Sequence, residues 1–459
     1  MNGIVLRSVT SNGRQTSVRI EGGQITELGA DVTTSAGDTV IEGMGGGLIP
    51  GLHDHHIHLA AIAAADRSLH LDGPDLDATL REHAARRPAQ EWIRAVGYDE
   101  HASGPLDRHR LDTVAPGRPV RVQHRSGAMW VLSSAALSGL DIPADLAGVE
   151  RDADDEPTGR LFRLDDWLRD RLPPEPEPDI AAVTRRLASY GITGVTDATP
   201  FSSPTALELL ARPDLAVRVT AMGGPELTGA PFPERVGAGP VKIVVGDDDL
   251  PSIDAIAEAI ATAHRVDRPV AVHCVTRAAL VLTLAALDAA GSASGDRIEH
   301  GAVIPPELRD HLAGRSLTVV TQPGFIAAHG DRYREQVDAD DLEHLYPCRS
   351  LLDAGIEVGG STDAPFGPED PWWAIRAAIE RRTASGAVLG PDERISPVQA
   401  LHMWLSRPER PGGPSRHVER GGAADLCLLD APFRDVIDDP QAGHVRAVIC
   451  RGEITYSRA

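Results

Sequence analysis

A chain of 459 residues with 42% hydrophobic content can bury a sizeable core and is too long for one small domain. Its formal charge of −22 repels nucleic acid and anionic membrane alike, so neither is expected as a partner. No apolar run approaches the roughly 20 residues of a membrane span, and the first residues lack a signal-peptide pattern. Cys274, Cys348, Cys427 and Cys450 are scattered with no C-x-x-C spacing, and together these features predict a cytoplasmic protein.

Residues 1–48 read as short strands with glycine turns: I-V-L near Ile4, then S-V-R-I-E-G-G-Q-I-T-E-L turning at Gly22-Gly23. Residues 405–459 repeat the pattern, with A-D-L-C-L-L-D and a run from His444 that turns at Arg451-Gly452. The two ends are therefore expected to pair into one small sheet, a composite β domain.

Between them the chain opens with Leu48–Leu59, L-I-P-G-L-H-D-H-H-I-H-L. Four histidines and an aspartate occupy six consecutive positions after an apolar run. His56 and His58, two apart on an extended backbone, point the same way, and two neutral imidazoles are half of a zinc-type site. Residues 60–69 read as helix. Residues from about 72 to 180 then break the strand–helix alternation and end in the stiff L-P-P-E-P-E-P-D. This block is read as an insertion beside a barrel mouth.

From Ala181 the beat is regular: I-T-G-V-T-D-A, A-V-R-V-T-A-M, V-K-I-V-V-G, P-V-A-V-H-C-V, R-I-E-H-G, L-T-V-V-T-Q-P and I-E-V-G-G-S-T-D-A-P, several separated by helix-like segments. Strands apolar on both faces that alternate with helices predict a parallel sheet. About eight such strands are available, which favours a closed (β/α)8 barrel over residues 49–404. His273, His300 and Asp363 end three of them, and Lys242 lies within a fourth. In such a barrel the C-terminal strand ends converge on one mouth, where chemistry is placed.

P-G-x-x-D-x-H-x-H, with the later strand-end residues in the same chain order, resembles the amidohydrolase superfamily of metal-dependent hydrolases, and most closely its family 3, or YtcJ-like, branch in a shorter variant. The resemblance spans nearly the whole chain. It implies a (β/α)8 barrel with a small β-sandwich-like domain from both termini and an insertion that includes Pro157–Gly159. It implies that His56 and His58 are the first-strand metal pair, that His273 and His300 are the strand 5 and 6 ligands, and that Asp363 is the strand 8 ligand and general base. Lys242 matches a lysine that some branches carboxylate, and here carbamate and ordinary lysine both stay open. The expected cofactor is one or two divalent cations, zinc first.

The implied activity is cleavage of a C–N bond (amide, N-acyl, formamide or cyclic amide) in a small molecule by metal-activated water. A heterocycle deaminase and a metal-free homologue are the alternatives. Thr276 stands where deaminases of this type often carry glutamate, and metal-capable residues on several strands speak against a metal-free scaffold. Two further departures are visible: V-V-G-D-D-D-L-P-S follows Lys242 where many relatives have Asp-Gly, and Ser126-Gly127-Ala128 stands where relatives often place a histidine. His124 is read as a substitute or as a surface or internally bonded residue, and Glu299 as orienting a ligand or capping the barrel rather than acting as an acid. Tyr98, Arg125, Gln322 and Trp372 are open between pocket and structural roles. Homo-oligomerisation is open.

Overall fold

The computed structural model describes residues 3–73, 75–246 and 250–458. The three acids of V-V-G-D-D-D-L-P-S lie outside the described residues. The chain divides into two units, Met1–Leu59 with Ile180–Ala459, and Ala60–Asp179.

In the larger unit the buried apolar strands form two all-parallel sheets. One runs in the order Val236–Ala238, Arg218–Ala221, Ile192–Asp197, Leu52–Ile57. The other runs Val241–Val244, Val270–Cys274, Arg297–His300, Thr318–Thr321, Val358–Gly360. Helices such as Ile253–His264 and Arg277–Ala290 separate successive strands, as a parallel order requires. Ser252 and Thr276 cap those two helices by accepting from Ala255 N and Ala279 N, so the backbone turns from strand to helix at a defined residue. The two sheets do not form one continuous ladder among the described residues. Single backbone bonds run from one to the other. Lys242 N donates to Gly223 O at 2.9 Å, Asp363 N to His56 O at 2.9 Å, and His58 N to Ala364 O at 3.0 Å.

The terminal strands correct the expectation of one small sheet. Gln24–Gly29, Arg14–Glu21, Ile4–Ser11 and Thr39–Glu42 form one sheet; Glu453–Ser457, Val445–Cys450, Leu426–Leu429 and Leu48–Pro50 form another. Each has an apolar face, and pairing edge to edge would leave both faces wet. They instead share one core, in which Leu6, Val18 and Ile20 meet Leu426, Leu428 and Ala447. The two glycine turns also meet: a Cβ at Gly452 would stand 2.7 Å from the Cα of Gly23.

The unit of residues 60–179 has its own six-stranded sheet, ordered Val149–Arg151, Pro157–Phe162, Met129–Leu132, Val120–His124, Ile93–Tyr98, Leu69–His70. Helix Leu76–Ala85 covers it through Leu76 and Leu80, in a core with Ile93, Val120 and Val131. Trp130 donates from Nε1 to Asp165 at 2.8 Å, while Arg94 and Arg121 lie over its ring at 5.3 and 5.2 Å. The unit starts near residue 60 rather than 72, because the segment expected to be helical stops at Ala65 and Leu69–His70 becomes an edge strand. Among the described residues, no helix is long and apolar enough to cross a membrane.

Candidate metal centre

Strand alternation sorts the histidine stretch. His53 and His55 face one side, where Nε2 of His53 bonds the Thr196 hydroxyl at 2.9 Å and Nε2 of His55 bonds that of Ser406 at 3.0 Å. Burial holds both well below the ordinary histidine pKa, so they are neutral core residues. Asp54, His56 and His58 face the other side.

There His56, His58 and His300 are each oriented through Nδ1. The Glu299 carboxylate accepts from Nδ1 of His56, and Thr199 Oγ1 lies 3.1 Å from Nδ1 of His58. Both Nε2 atoms are left for the centre, 3.6 Å (His56) and 3.3 Å (His58) from Asp363 Oδ1. Nδ1 of His300 bonds Gln322 Oε1 at 2.9 Å. Gln322 is itself set by donating to Ser361 Oγ at 2.9 Å, whose hydroxyl donates to Thr321 O. Asp363 Oδ2 is 3.7 Å from Nδ1 of His300, and the His273 ring meets the His300 ring edge-on at 4.4 Å. Lys242 Nζ lies 3.5 Å from Nε2 of His56. Burial holds His56 and His300 well below the ordinary histidine pKa, in the neutral form a metal requires. Burial also lowers the Lys242 pKa, against the opposing pull of Glu299 and Asp363.

One observation tests whether a metal fits. Asp363 Oδ1 is buried, has no hydrogen-bond partner, and faces two imidazole nitrogens. Ligand atoms of His56, His58 and Asp363 lie within 4.8 Å of one another. Two atoms bound about 2.1 Å from a tetrahedral ion stand about 3.4 Å apart, which is the spacing seen here. The donor set is two neutral nitrogens and a carboxylate, and it fits a divalent cation.

Around this centre lie residues that the sequence reading did not assign. Asp54 Oδ1 accepts from His56 N at 3.1 Å and Thr362 N at 3.2 Å, and its Oδ2 accepts from Thr362 Oγ1 at 2.5 Å. It thus ties the histidine strand to the Asp363 segment. Burial pushes its pKa up to about 7, against the Thr362 and backbone bonds. Asp197 holds Leu59 N and Thr199 N at 2.9 Å each, which sets the Thr199 hydroxyl against His58. Both acids had a signal: Asp54 is the D of P-G-x-x-D, and Asp197 ends a strand.

Glu299 orients His56 and is anchored by Arg297, whose Nε donates at 2.5 Å and whose Nη2 reaches His55 O at 2.9 Å. His300 at φ +67° and Asp363 at φ +53° hold the left-handed backbone, each a cost of about 1–3 kcal/mol that surrounding bonds sustain. Of the four open pocket residues, Gln322 belongs to the cluster. Trp372 is fully buried with Nε1 on Tyr190 O at 2.8 Å, Tyr98 is locked between Gly104 O and Leu106 N, and Arg125 lies 3.5 Å from Asp99. His124 is bonded internally, to Glu100 at 2.6 Å and Ser126 at 2.7 Å.

Residues 39–456 match the sequence model described as the amidohydrolase family. The chain belongs to that family. It is 27% identical to the N-substituted formamide deformylase of Arthrobacter pascens, over 92% of this chain and 90% of that protein. It is 23% identical to a provisionally assigned amidohydrolase, YtcJ of Bacillus subtilis (strain 168), over 90% and 89%. Its fold is similar to that of an uncharacterized metal-dependent hydrolase from Pyrococcus horikoshii OT3, at TM-score 0.75 and 19% identity, covering 97% of this chain and 100% of that one. The family member is a hydrolase acting on carbon–nitrogen bonds, and its cluster takes a divalent metal.

Proposed function

We propose that this amidohydrolase cleaves an amide, N-acyl, formamide or cyclic amide bond of a small molecule, with zinc as the metal and Asp363 as general base. The observation that carries the reading is the orphaned Oδ1 of Asp363 facing two nitrogens whose other ring positions are already bonded. His56, His58 and Asp363 would hold one ion; His273 and His300 adjoin them, with Lys242 beside His56. A bound divalent cation supplies an acidified water and polarises the substrate carbonyl.

The chain's own groups do the rest. Asp363 accepts the proton of the attacking water and passes it to the leaving nitrogen, worth typically 100-fold or more. Its two oxygens divide the labour, Oδ1 toward His56 and His58 and Oδ2 toward His300. Asp54, through Thr362, keeps the carboxylate in register with the histidine strand. We include the carbamate form of Lys242 in this reading: burial favours its neutral amine over the ammonium, and that amine, on taking up CO2 and releasing a proton, becomes an anionic ligand. We also read the two parallel sheets as halves of one (β/α)8 barrel whose strand ends carry the site, which the backbone bonds at Gly223, His56 and Ala364 support. The formamide chemistry named for the Arthrobacter pascens relative supports formamides within the substrate range. The four buried thiols support a reducing, cytoplasmic setting.

The test is metal analysis of purified protein with turnover on N-formyl amines, N-acyl amines and cyclic imides. Zinc near one or two equivalents with release of amine is the expected result. Metal-loaded protein that turns over a heterocyclic amine to ammonia and none of the amides overturns the reading.

A further inference from the structure

His58 is more open than His56, its side chain 16% exposed against 1%. It stands one residue beyond the strand Leu52–Ile57, so that strand's ladder does not hold it. Other segments do. Its backbone N–H donates to Ala364 O at 3.0 Å, Thr199 Oγ1 lies 3.1 Å from its Nδ1, and the Phe366 ring meets its ring edge-on at 5.7 Å. Two of these contacts come from residues 363–366, which form one closed turn. Phe366 N donates back to Asp363 O at 2.9 Å, and Asp363 N donates to His56 O at 2.9 Å, so the start of the turn is stitched to the histidine strand.

The far end of the turn is fastened elsewhere. The Phe366 carbonyl lies 3.0 Å from Nε2 of His329, and a carbonyl only accepts, so Nε2 carries the proton and donates it. His329 sits partly buried on the helix Gly324–Gln336, which follows the strand Thr318–Thr321. The connection between that strand and helix also supplies Gln322, the partner of His300 Nδ1. The helix is a fixed reference. A Cβ at Gly330 would stand 2.6 Å from Thr383 Cγ2 and one at Gly324 3.1 Å from Trp373 Cζ3, so the helix lies close against both. Asp331 accepts from Thr383 Oγ1 at 2.6 Å and from Ser385 N at 2.8 Å. Phe325 meets the His329 ring at 5.1 Å and the Tyr346 ring at 5.6 Å, in the apolar cluster on which Phe366 also packs. One N–H thus joins a clamped helix to a turn with Asp363 at one end and the ring beside His58 at the other.

We propose that His329 is a positioning residue of the metal centre, an inference that rests on the reading of His58 and Asp363 given above. Its Nε2–H fixes the Phe366 carbonyl, and thereby both the Asp363 carboxylate and the ring that flanks His58. It touches neither metal nor substrate. Its leverage is geometric: misplacing reacting groups by about 1 Å costs on the order of 100-fold in rate, and partners behind metal ligands are worth about 10- to 100-fold in metal affinity.

The experiment compares wild type with His329→Leu, which has no donor, His329→Asn, whose amide is too short to reach, and His329→Gln, whose amide N–H stands about where Nε2 does. Zinc affinity is read by competition with a chelator, and kcat and KM on the amide turned over fastest in the panel above. Zinc affinity should weaken at least about fivefold in the Leu and Asn variants. Their kcat per bound zinc should fall at least about tenfold with KM within threefold, and the Gln variant should restore both to within twofold of wild type. A lower melting temperature with zinc affinity and kcat per zinc unchanged makes His329 merely structural and overturns the proposal. So does a Gln variant as impaired as the Asn variant, a comparison that decides even where the Leu variant does not fold. Failure of the hydrolase reading is a separate result, the absence of amide turnover in wild type. The zinc affinities then judge His329 alone: at least fivefold weaker binding restored by Gln upholds its role, and equal binding in all the proteins overturns it.

Discussion

The two faces of the strand Leu52–Ile57 carry the same residue type to opposite ends. On one face His53 and His55 each bond a single hydroxyl, of Thr196 and Ser406, and end in the core. On the other His56 leans on the Glu299 carboxylate, and both His56 and His58 turn Nε2 toward Asp363. All of these rings except His58 are nearly or fully buried, so burial alone does not make a ligand. What differs is where Nε2 points: on the first face it bonds a protein hydroxyl, whereas on the second Nδ1 is held from behind, by Glu299 or Thr199, and Nε2 faces the Asp363 carboxylate.

The strongest way to break this contrast is at its focus. Asp363→Asn keeps the size and the bond from its backbone to His56 O, but removes the base. Turnover should fall at least about 100-fold, with melting temperature and part of the metal retained. Near-normal turnover in a fully metallated variant defeats the role given to Asp363, and loss of activity that only tracks loss of metal reduces it to a ligand.

Glu299→Gln sharpens the contrast by turning a carboxylate-backed histidine into an amide-backed one. Metal affinity should weaken about 10- to 100-fold, read by competition with a chelator. An unchanged affinity shows that the carboxylate behind His56 contributes nothing to metal binding. His55→Ala probes the opposite face. It should lower stability by about 1–3 kcal/mol, because the Ser406 hydroxyl loses a buried partner, while turnover per metal ion stays within twofold. Metal loss in this variant erases the difference between the faces.

The smallest effect is the pH dependence of the chelator-treated protein. His53, His55, His56 and His300 have folded pKa values well below 6.5, so near that pH the unfolded chain binds more protons and stability rises with pH. Their contribution is present above pH 6.5 and drains as pH falls below it, by up to about 1.4 kcal/mol per unit for each histidine. Asp54 has the opposite sign. Its pKa rises from 3.8 to about 7 on folding, so its burial costs stability as pH climbs through that window. Melting temperature should therefore drop between pH 6.5 and 5, and more steeply in Asp54→Asn. An equal or shallower slope in that variant contradicts the assignment of Asp54 as the opposing group.

Much of this cluster was legible in the sequence, because histidines and an aspartate at strand ends are the residue types a metal centre draws on. H-x-H and the strand-end His273, His300 and Asp363 carried that signal, and two-faced apolar strands carried the parallel sheets. Glu299 shows where the pattern misleads. Alternation puts Glu299 and His300 on opposite faces, yet both serve the centre because His300 turns at φ +67°. A backbone angle of that kind leaves no trace in residue type when the residue is not glycine. Asp54 and Thr362 are 308 positions apart, so the tie between them became visible only in the fold. The second terminal sheet was legible only through the resemblance, because alternation reveals that a strand has an apolar face but not which sheet will cover it.

The meeting of Gly23 and Gly452 sets an order of events during synthesis. The face bearing Leu6, Val18 and Ile20 is made roughly 400 residues before the strands that cover it, Leu426–Leu429 and Val445–Cys450. At about 5–20 residues per second, roughly 20–80 s separate the two, and the early sheet spends that interval with an apolar face and free edges in water. Glu27 and Glu42, charged side chains on its two edge strands Gln24–Gly29 and Thr39–Glu42, act as gatekeepers during that wait. Circular permutants that open at an exposed loop and join the two ends make both sheets adjacent in time, and their yield at high temperature measures what the delay costs.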